Sequence, residues 1–201
     1  MRFTALRRPL RLARHLTVAA LLAALPVPCH AQALPQLFYT PGNGYRPKDF
    51  SVVRADDRRY HAFFIRTRMS DNLDIDISHA SSLDLVNWTA WNTALAPRHG
   101  ENVFDRDFVW APCVVKKDGY YWMFYTGVNH PGWPYYQQQQ IGLARATSLD
   151  GPWTRLQDGP VLACDGTTLY CDMVAYPNGY SPDFRDPFVF PDPANPGHWL
   201  M

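Results

Sequence analysis

A chain of 201 residues with 19 basic and 18 acidic side chains carries a formal net charge of only +1. That balance gives no electrostatic reason to bind nucleic acid or an anionic membrane surface. Its 18 prolines and 14% aromatic content, with almost no helical periodicity beyond the first 25 residues, exclude a helical bundle.

The chain opens with five arginines (Arg2, Arg7, Arg8, Arg11, Arg14) ahead of the apolar run "LTVAALLAAL". Ten apolar residues are too few to span a bilayer, and basic start, apolar middle and small-residue end together read as a signal peptide. Cleavage is expected after Ala31 or Ala33, so residues 1–33 are a leader and residues 34–201 the mature part. "PVPC" fits a lipoprotein cleavage box poorly. The expectation is a protein released into the periplasm or medium, with no membrane attachment after cleavage. Losing the leader removes five arginines and no acid, which leaves fourteen basic against eighteen acidic groups.

Past the leader, short aromatic and β-branched runs alternate with Gly, Pro and Asp turns, the pattern of an all-β domain. The runs repeat. "DFSVVRADDRRYHAFFIR" from Asp49 resembles "APCVVKKDGYYWMFYTG" from Ala111, and both resemble "DPFVFPDPANPGHWLM" from Asp186. Between them "IDISHASSLDLVNWTAW" is echoed by "IGLARATSLDGPWTRL", so Ser82-Leu83-Asp84 and Trp88 answer to Ser148-Leu149-Asp150 and Trp153. A spacing of 62 to 75 residues with about four strands per unit is the signature of β-propeller blades. The third unit stops at "HWLM", inside an expected strand. About two and a half blades are therefore expected, the N-terminal part of a larger propeller.

Of the cysteines outside the leader, Cys164 and Cys171 flank a polar loop and are expected to form a disulfide in an oxidising compartment. Cys113, in the apolar run "PCVV", reads as a buried free thiol. His79 reads as a core histidine, and the four glutamines at 137–140 as a polar loop over the rim. No cysteine-histidine cluster suggests a metal and no Gly-rich phosphate loop suggests a nucleotide, so no cofactor is expected.

These elements together resemble the five-bladed β-propeller glycoside hydrolases of families 43, 62, 32 and 68. "HASSLDLVNWTAWNTALAP" and "DFRDPFVF" are similar to family 32; "WAPCVVKKDGYYWMFYTG" and "ARATSLDGPWTR" are similar to family 43. The resemblance covers roughly residues 45–201 and implies a hydrolase of furanosides or xylosides that works with a carboxylate pair. Such chemistry needs one protonated carboxyl and one ionised one across the scissile bond. It also implies roles: base or nucleophile for Asp49, and for Asp186 either tuning the acid's pKa or stabilising the developing cation. The general acid, a glutamate in the relatives, is then expected beyond Met201.

Innermost propeller strands converge on the axis, so Asp49 and Asp186 are expected to meet at one end of it. Each candidate also has a plainer reading. Asp186 caps a turn ahead of Pro187, or stands in a site; Asp49 is a solvated turn residue, or a site carboxylate. Trp110 is a core residue, or the apolar plate on which a sugar packs. Arg185 holds Asp186 ionised, or bonds a sugar hydroxyl. Where the relatives place Asn before and Pro after the first aspartate, this chain has Lys48 and Phe50. That departure keeps open a second reading, a non-catalytic carbohydrate-binding propeller.

Overall fold

The computed structural model of the protein describes residues 39, 41–132, 136–164, 173–176 and 179–201. They contain strands and turns and no helix. Strands β1 (Tyr45–Arg54), β2 (Tyr60–Arg68), β3 (Leu73–Ser82) and β4 (Trp88–Leu95) form one antiparallel sheet in chain order. A second sheet has the same order in β5 (Phe108–Lys117), β6 (Tyr120–Gly132), β7 (Tyr136–Ala146) and β8 (Thr154–Arg155). Two hairpins follow, β9 (Met173–Tyr176) with β10 (Gly179–Pro182), and β11 (Phe190–Pro191) with β12 (Trp199–Leu200). Two four-stranded blades and further strands give the all-β architecture of a five-bladed β-propeller, present as about two and a half blades. The strand expected at "HWLM" is β12, which pairs with β11.

The strands' sequences explain their places. In β2, "HAFFI" is buried without interruption, as for a strand covered on both faces, whereas β1 alternates between half-buried and exposed residues. The two "SLD" turns are built alike: the hydroxyl oxygen of Ser82 accepts the amide of Asp84, and that of Ser148 the amide of Asp150, at 3.1 and 3.2 Å. Asp84 also takes the amides of Val86 and Asn87, which hold its carboxyl well below the usual carboxylate range. The repeat thus marks a turn that needs an Asx or Ser acceptor.

The connection from β4 to β5, residues 96–107, is plugged into the second blade. Phe104 and Asp105 press against Gly127 of β6, where an added Cβ would stand 2.3 Å from the Phe104 ring and 2.7 Å from the Asp105 Cβ. Gly142 of β7 makes equal room for Tyr125. Only glycine admits such an approach. Asp105 is fully buried and takes three partners: Arg98 Nε at 2.8 Å, Arg155 Nε at 2.6 Å and the Tyr125 hydroxyl at 2.9 Å. Arg98 continues to Asp158 at 2.7 Å, and Arg155 to the carbonyl of Ala96 at 2.5 Å. Burial and the Asp105 charge push the Tyr125 phenol up, which keeps it a donor.

Within the first blade, His61 and His79 are buried and stacked, with Nδ1 of one 2.8 Å from Nε2 of the other. His79 also lies flat against Phe63 at 4.6 Å. Burial, then the His61 charge, lowers the His79 pKa to about 3; burial lowers that of His61 too, with Asp150 and Asp57 opposing. Cys164 is disulfide-bonded and Cys113 is a free buried thiol; Cys171 lies outside the described residues.

Two outcomes are expected in unfolding experiments. Asp105→Ala leaves two guanidinium groups without their buried partner and should cost about 3–5 kcal/mol in denaturant titrations. For His79 the folded pKa is depressed, so the unfolded chain binds more protons below its own pKa, near 6.5. Stability should therefore fall as the pH drops from about 6.5 towards 3, by about 2 kcal/mol at pH 5 from His79 alone. His79→Gln should flatten that slope.

Candidate active site

The residues that match across the repeat, Asp49, Ala111 and Asp186, share an unusual backbone, with φ of 36°, 43° and 57°. Asp49 is the extra residue of a bulge, since the β1–β2 register shifts between Lys48 and Phe50. Ala111 lies where the β5–β6 register shifts between Trp110 and Cys113. A bulge re-aims side chains out of the ladder, and a left-handed non-glycine residue costs about 1–3 kcal/mol. Such strain persists only where the surroundings impose it. All three residues line one cavity of about 430 Å³, together with Phe50, Cys113 and Phe188.

Cross-links between the three segments hold this geometry. The Val114 amide donates to Ser51 Oγ at 3.0 Å and ties β5 to β1. The Val189 amide donates to Cys113 Sγ at 3.3 Å. Burial pushes the Cys113 thiol up, so it is a neutral acceptor in a structural place rather than a nucleophile. The amide of Asp186 donates to the buried Thr126 Oγ1 at 2.9 Å.

The glutamine row does not form a rim loop; it lies in β7. Gln139 is fully buried, its carbonyl accepts the Phe184 amide at 2.9 Å, and its side chain donates to Asp183 Oδ1 at 2.9 Å. The second blade thus positions the segment carrying the Arg-Asp-Pro triplet. Four consecutive polar residues show no alternation, so nothing local marks one of them as buried; Thr126 is equally silent.

Asp186 is exposed and faces Arg185, whose Nε stands 3.6 Å from its carboxylate. Partial desolvation raises the Asp186 pKa, Arg185 opposes the rise, and the Asp49 and Asp183 carboxylates add to it. Asp49 and Asp186 are therefore coupled electrostatically as well as sharing a cavity. Trp110 does not line this cavity. It stacks on Phe108 at 5.4 Å beneath the Lys48 ammonium, 5.7 Å from its ring centroid. Lys48 itself bonds Asp74 at 2.7 Å, and Asp74 also accepts from Thr67. The lysine beside Asp49 is thus committed to another carboxylate.

His61, His79 and Asp150 place three possible metal-donor atoms within 4.8 Å of one another. The ring nitrogens, however, are closer than the about 3.3 Å expected of two ligands round a tetrahedral zinc. Their 2.8 Å separation is that of a hydrogen-bonded imidazole pair.

Comparison with known proteins bears on the family and the fold. Two curated relatives carry the names sucrose-6-phosphate hydrolase (Vibrio cholerae serotype O1) and beta-xylosidase (Escherichia coli K12). The first is 31% identical over 123 residues, 61% of this chain and 19% of the relative. The second is 33% identical over 76 residues, 36% of this chain and 14% of the relative. The chain thus spans about a fifth or less of their length. Among solved structures, an exo-beta-1,3-galactanase from Phanerochaete chrysosporium with beta-1,3-galactotriose superposes with a TM-score of 0.53 at 22% identity. It covers 78% of this chain and 32% of the galactanase, a likeness of fold. The profile of glycosyl hydrolases family 43 matches residues 43–170, a span that holds both complete blades and the Asp49 and Ala111 bulges, and the chain belongs to that family.

Proposed function

We propose that the protein is a glycoside hydrolase acting on furanosides or xylosides, with Asp49 and Asp186 as its ionised carboxylates. The observation that supports this most is that equivalent positions of three repeat units, all in strained left-handed backbone, line one cavity, and two of the three are acidic. Asp49 serves as base or nucleophile towards the anomeric carbon. Asp186 adds negative charge where the oxocarbenium-like transition state develops a positive one. The proton for the leaving oxygen comes from a third carboxyl, since both of these must be ionised for their tasks. Arg185 helps keep Asp186 ionised, against the desolvation and like charges that raise its pKa. Phe50 and Phe188, exposed beside the two carboxylates, offer apolar surface to the C–H faces of a sugar.

The Lys48–Asp74 bond supports catalysis over a binding-only propeller, because the ammonium that departs from the relatives' pattern is already paired with Asp74. The name of the Escherichia coli relative favours xylosides. We also propose that residues 1–33 direct export and that the propeller domain begins at residue 34. Fractionation should find the protein in periplasm or medium with its N-terminus at Gln32 or Leu34; an intact Met1 terminus in the cytoplasm would refute it.

In the full-length protein, Asp49→Asn should lower kcat/KM on p-nitrophenyl xyloside or arabinofuranoside on the order of 10²–10⁴-fold. Asp186→Asn should lower kcat on the same substrates. Both side chains are exposed, so thermal midpoints should hardly move. Carbon-13 NMR titration of Asp49→Asn should show the Asp186 carboxyl with a lower pKa, because a repelling charge is gone. Retained activity in Asp49→Asn would remove the catalytic assignment.

A further inference from the structure

The Arg-Asp-Pro triplet lies between strands: β10 ends at Pro182 and β11 begins at Phe190. This stretch is pinned to the β6–β7 pair at two points. Gln139 forms a parallel bridge with Asp183; its carbonyl accepts the Phe184 amide and its side-chain amide donates to Asp183 Oδ1, both at 2.9 Å. Three residues on, the Asp186 amide donates to Thr126 Oγ1 at 2.9 Å. Gln139 pairs with Val128 across the two strands, two residues along β6 from Thr126, and both Gln139 and Thr126 are fully buried. The short span from Asp183 to Asp186 is thus fixed at each end by a strand of the second blade.

The bond to Asp183 is made at a cost. Gln139 Oε1 is buried and meets no hydrogen-bond donor among the described residues. An unpaired buried oxygen costs about 1–3 kcal/mol, and an apolar side chain of similar size, such as methionine, would avoid it. Packing alone gives no reason for glutamine here; Asp183 does. A neutral donor orients a carboxylate and leaves its charge in place, whereas a lysine or arginine at residue 139 would cancel it. That charge matters three residues further on. Arg185 Nε lies 3.6 Å from the Asp186 carboxylate, so those two side chains together present little net charge to a developing cation. Asp183 restores it, since residues 183–186 hold two acids against one base. The Asp186 pKa is raised by partial desolvation, lowered by Arg185 and raised again by Asp49 and Asp183. Among the described residues these are the charged groups that act on Asp186, and the second blade contributes the Thr126 hydroxyl and the neutral Cys113 thiol.

We propose that Asp183 is a positioning carboxylate for the reaction at Asp186 and that Gln139 holds it in place: the pair keeps the Arg-Asp-Pro segment net negative where the transition state turns positive. The consequence for catalysis rests on the hydrolase reading; the link from Gln139 through Asp183 to Asp186 does not.

The test compares four full-length proteins: wild type, Asp183→Asn, Gln139→Met and the double variant. Asp183→Asn keeps an acceptor for Gln139 and removes only the charge. In carbon-13 NMR titrations the Asp186 carboxyl should have a lower pKa in Asp183→Asn, because a repelling charge is gone. It should be lower in Gln139→Met as well, because the released Asp183 turns to solvent. The double variant should match Asp183→Asn, as expected when one residue acts through the other. On p-nitrophenyl xyloside or arabinofuranoside each single variant should lower kcat about tenfold and change KM less than about threefold. Methionine removes the unpaired oxygen, so the thermal midpoint of Gln139→Met should stay within about 2 °C of wild type. A midpoint that falls while kcat holds makes Gln139 a packing residue and overturns the proposal. Asp183→Asn decides whatever Gln139→Met does to folding: an Asp186 pKa equal to that of wild type, or an unchanged kcat, overturns the proposal and leaves the hydrolase reading standing. Lowered Asp186 pKa values in a protein that cleaves neither glycoside keep the link to Asp186 and overturn the hydrolase reading.

Discussion

A carboxylate with no access to water, Asp105, needs partners strong enough to replace its hydration, and it finds them in elements far apart along the chain. Arg98 comes from its own loop, Tyr125 from β6 and Arg155 from β8. Truncating one member of such a group leaves a buried charge unpaired. The network therefore works as a latch: the stretch between the first and second sheets is fixed against the second, and the start of β5 follows. Arg106, Asp107, Phe108 and Trp110 come directly after the latch. Their positions depend on it before any ligand arrives.

The same logic of support recurs round the cavity. Left-handed aspartates and an alanine are intrinsically unfavourable, and none of the three has a local reason for its conformation. Each is held by ties to another segment, through Ser51 and Val114, Cys113 and Val189, or Thr126 and Asp186. Backbone strain at a site requires a stiff frame around it, and the propeller supplies it by placing innermost segments side by side. The stability of the frame and the placement of the carboxylates are thus one problem.

Much of this was legible before any coordinates. Strand–turn–strand units and the "SLD…W" element predict the blades because turn acceptors and strand alternation are local properties, and both "SLD" turns use their serine in the same way. Asp49 and Asp186 stood out because the repeat aligns them. What could not be read is what depends on remote partners. Asp105 sits in "FDRDF" and looks like any loop acid, since Arg155 lies fifty residues on. Gln139 looks like one of four solvated glutamines, and its burial is decided by Asp183. Trp110 reads equally as a core residue or a sugar plate, and its contacts, Phe108 stacked on its ring and the Lys48 ammonium over it, come from residues that nothing in its own motif points to.

Ala111 has the strained backbone and the view into the cavity, but no charge. The fold therefore repeats one backbone conformation at three positions round the cavity, and the sequence decides which of them carry acids. The distance between two carboxyl groups governs whether a glycosidase inverts or retains the anomeric centre. Moving an acid from one of these positions to another changes that distance without altering a strand. On the hydrolase reading, the spacing of the acids, and with it the stereochemical outcome, would follow from which of these positions carry a carboxyl.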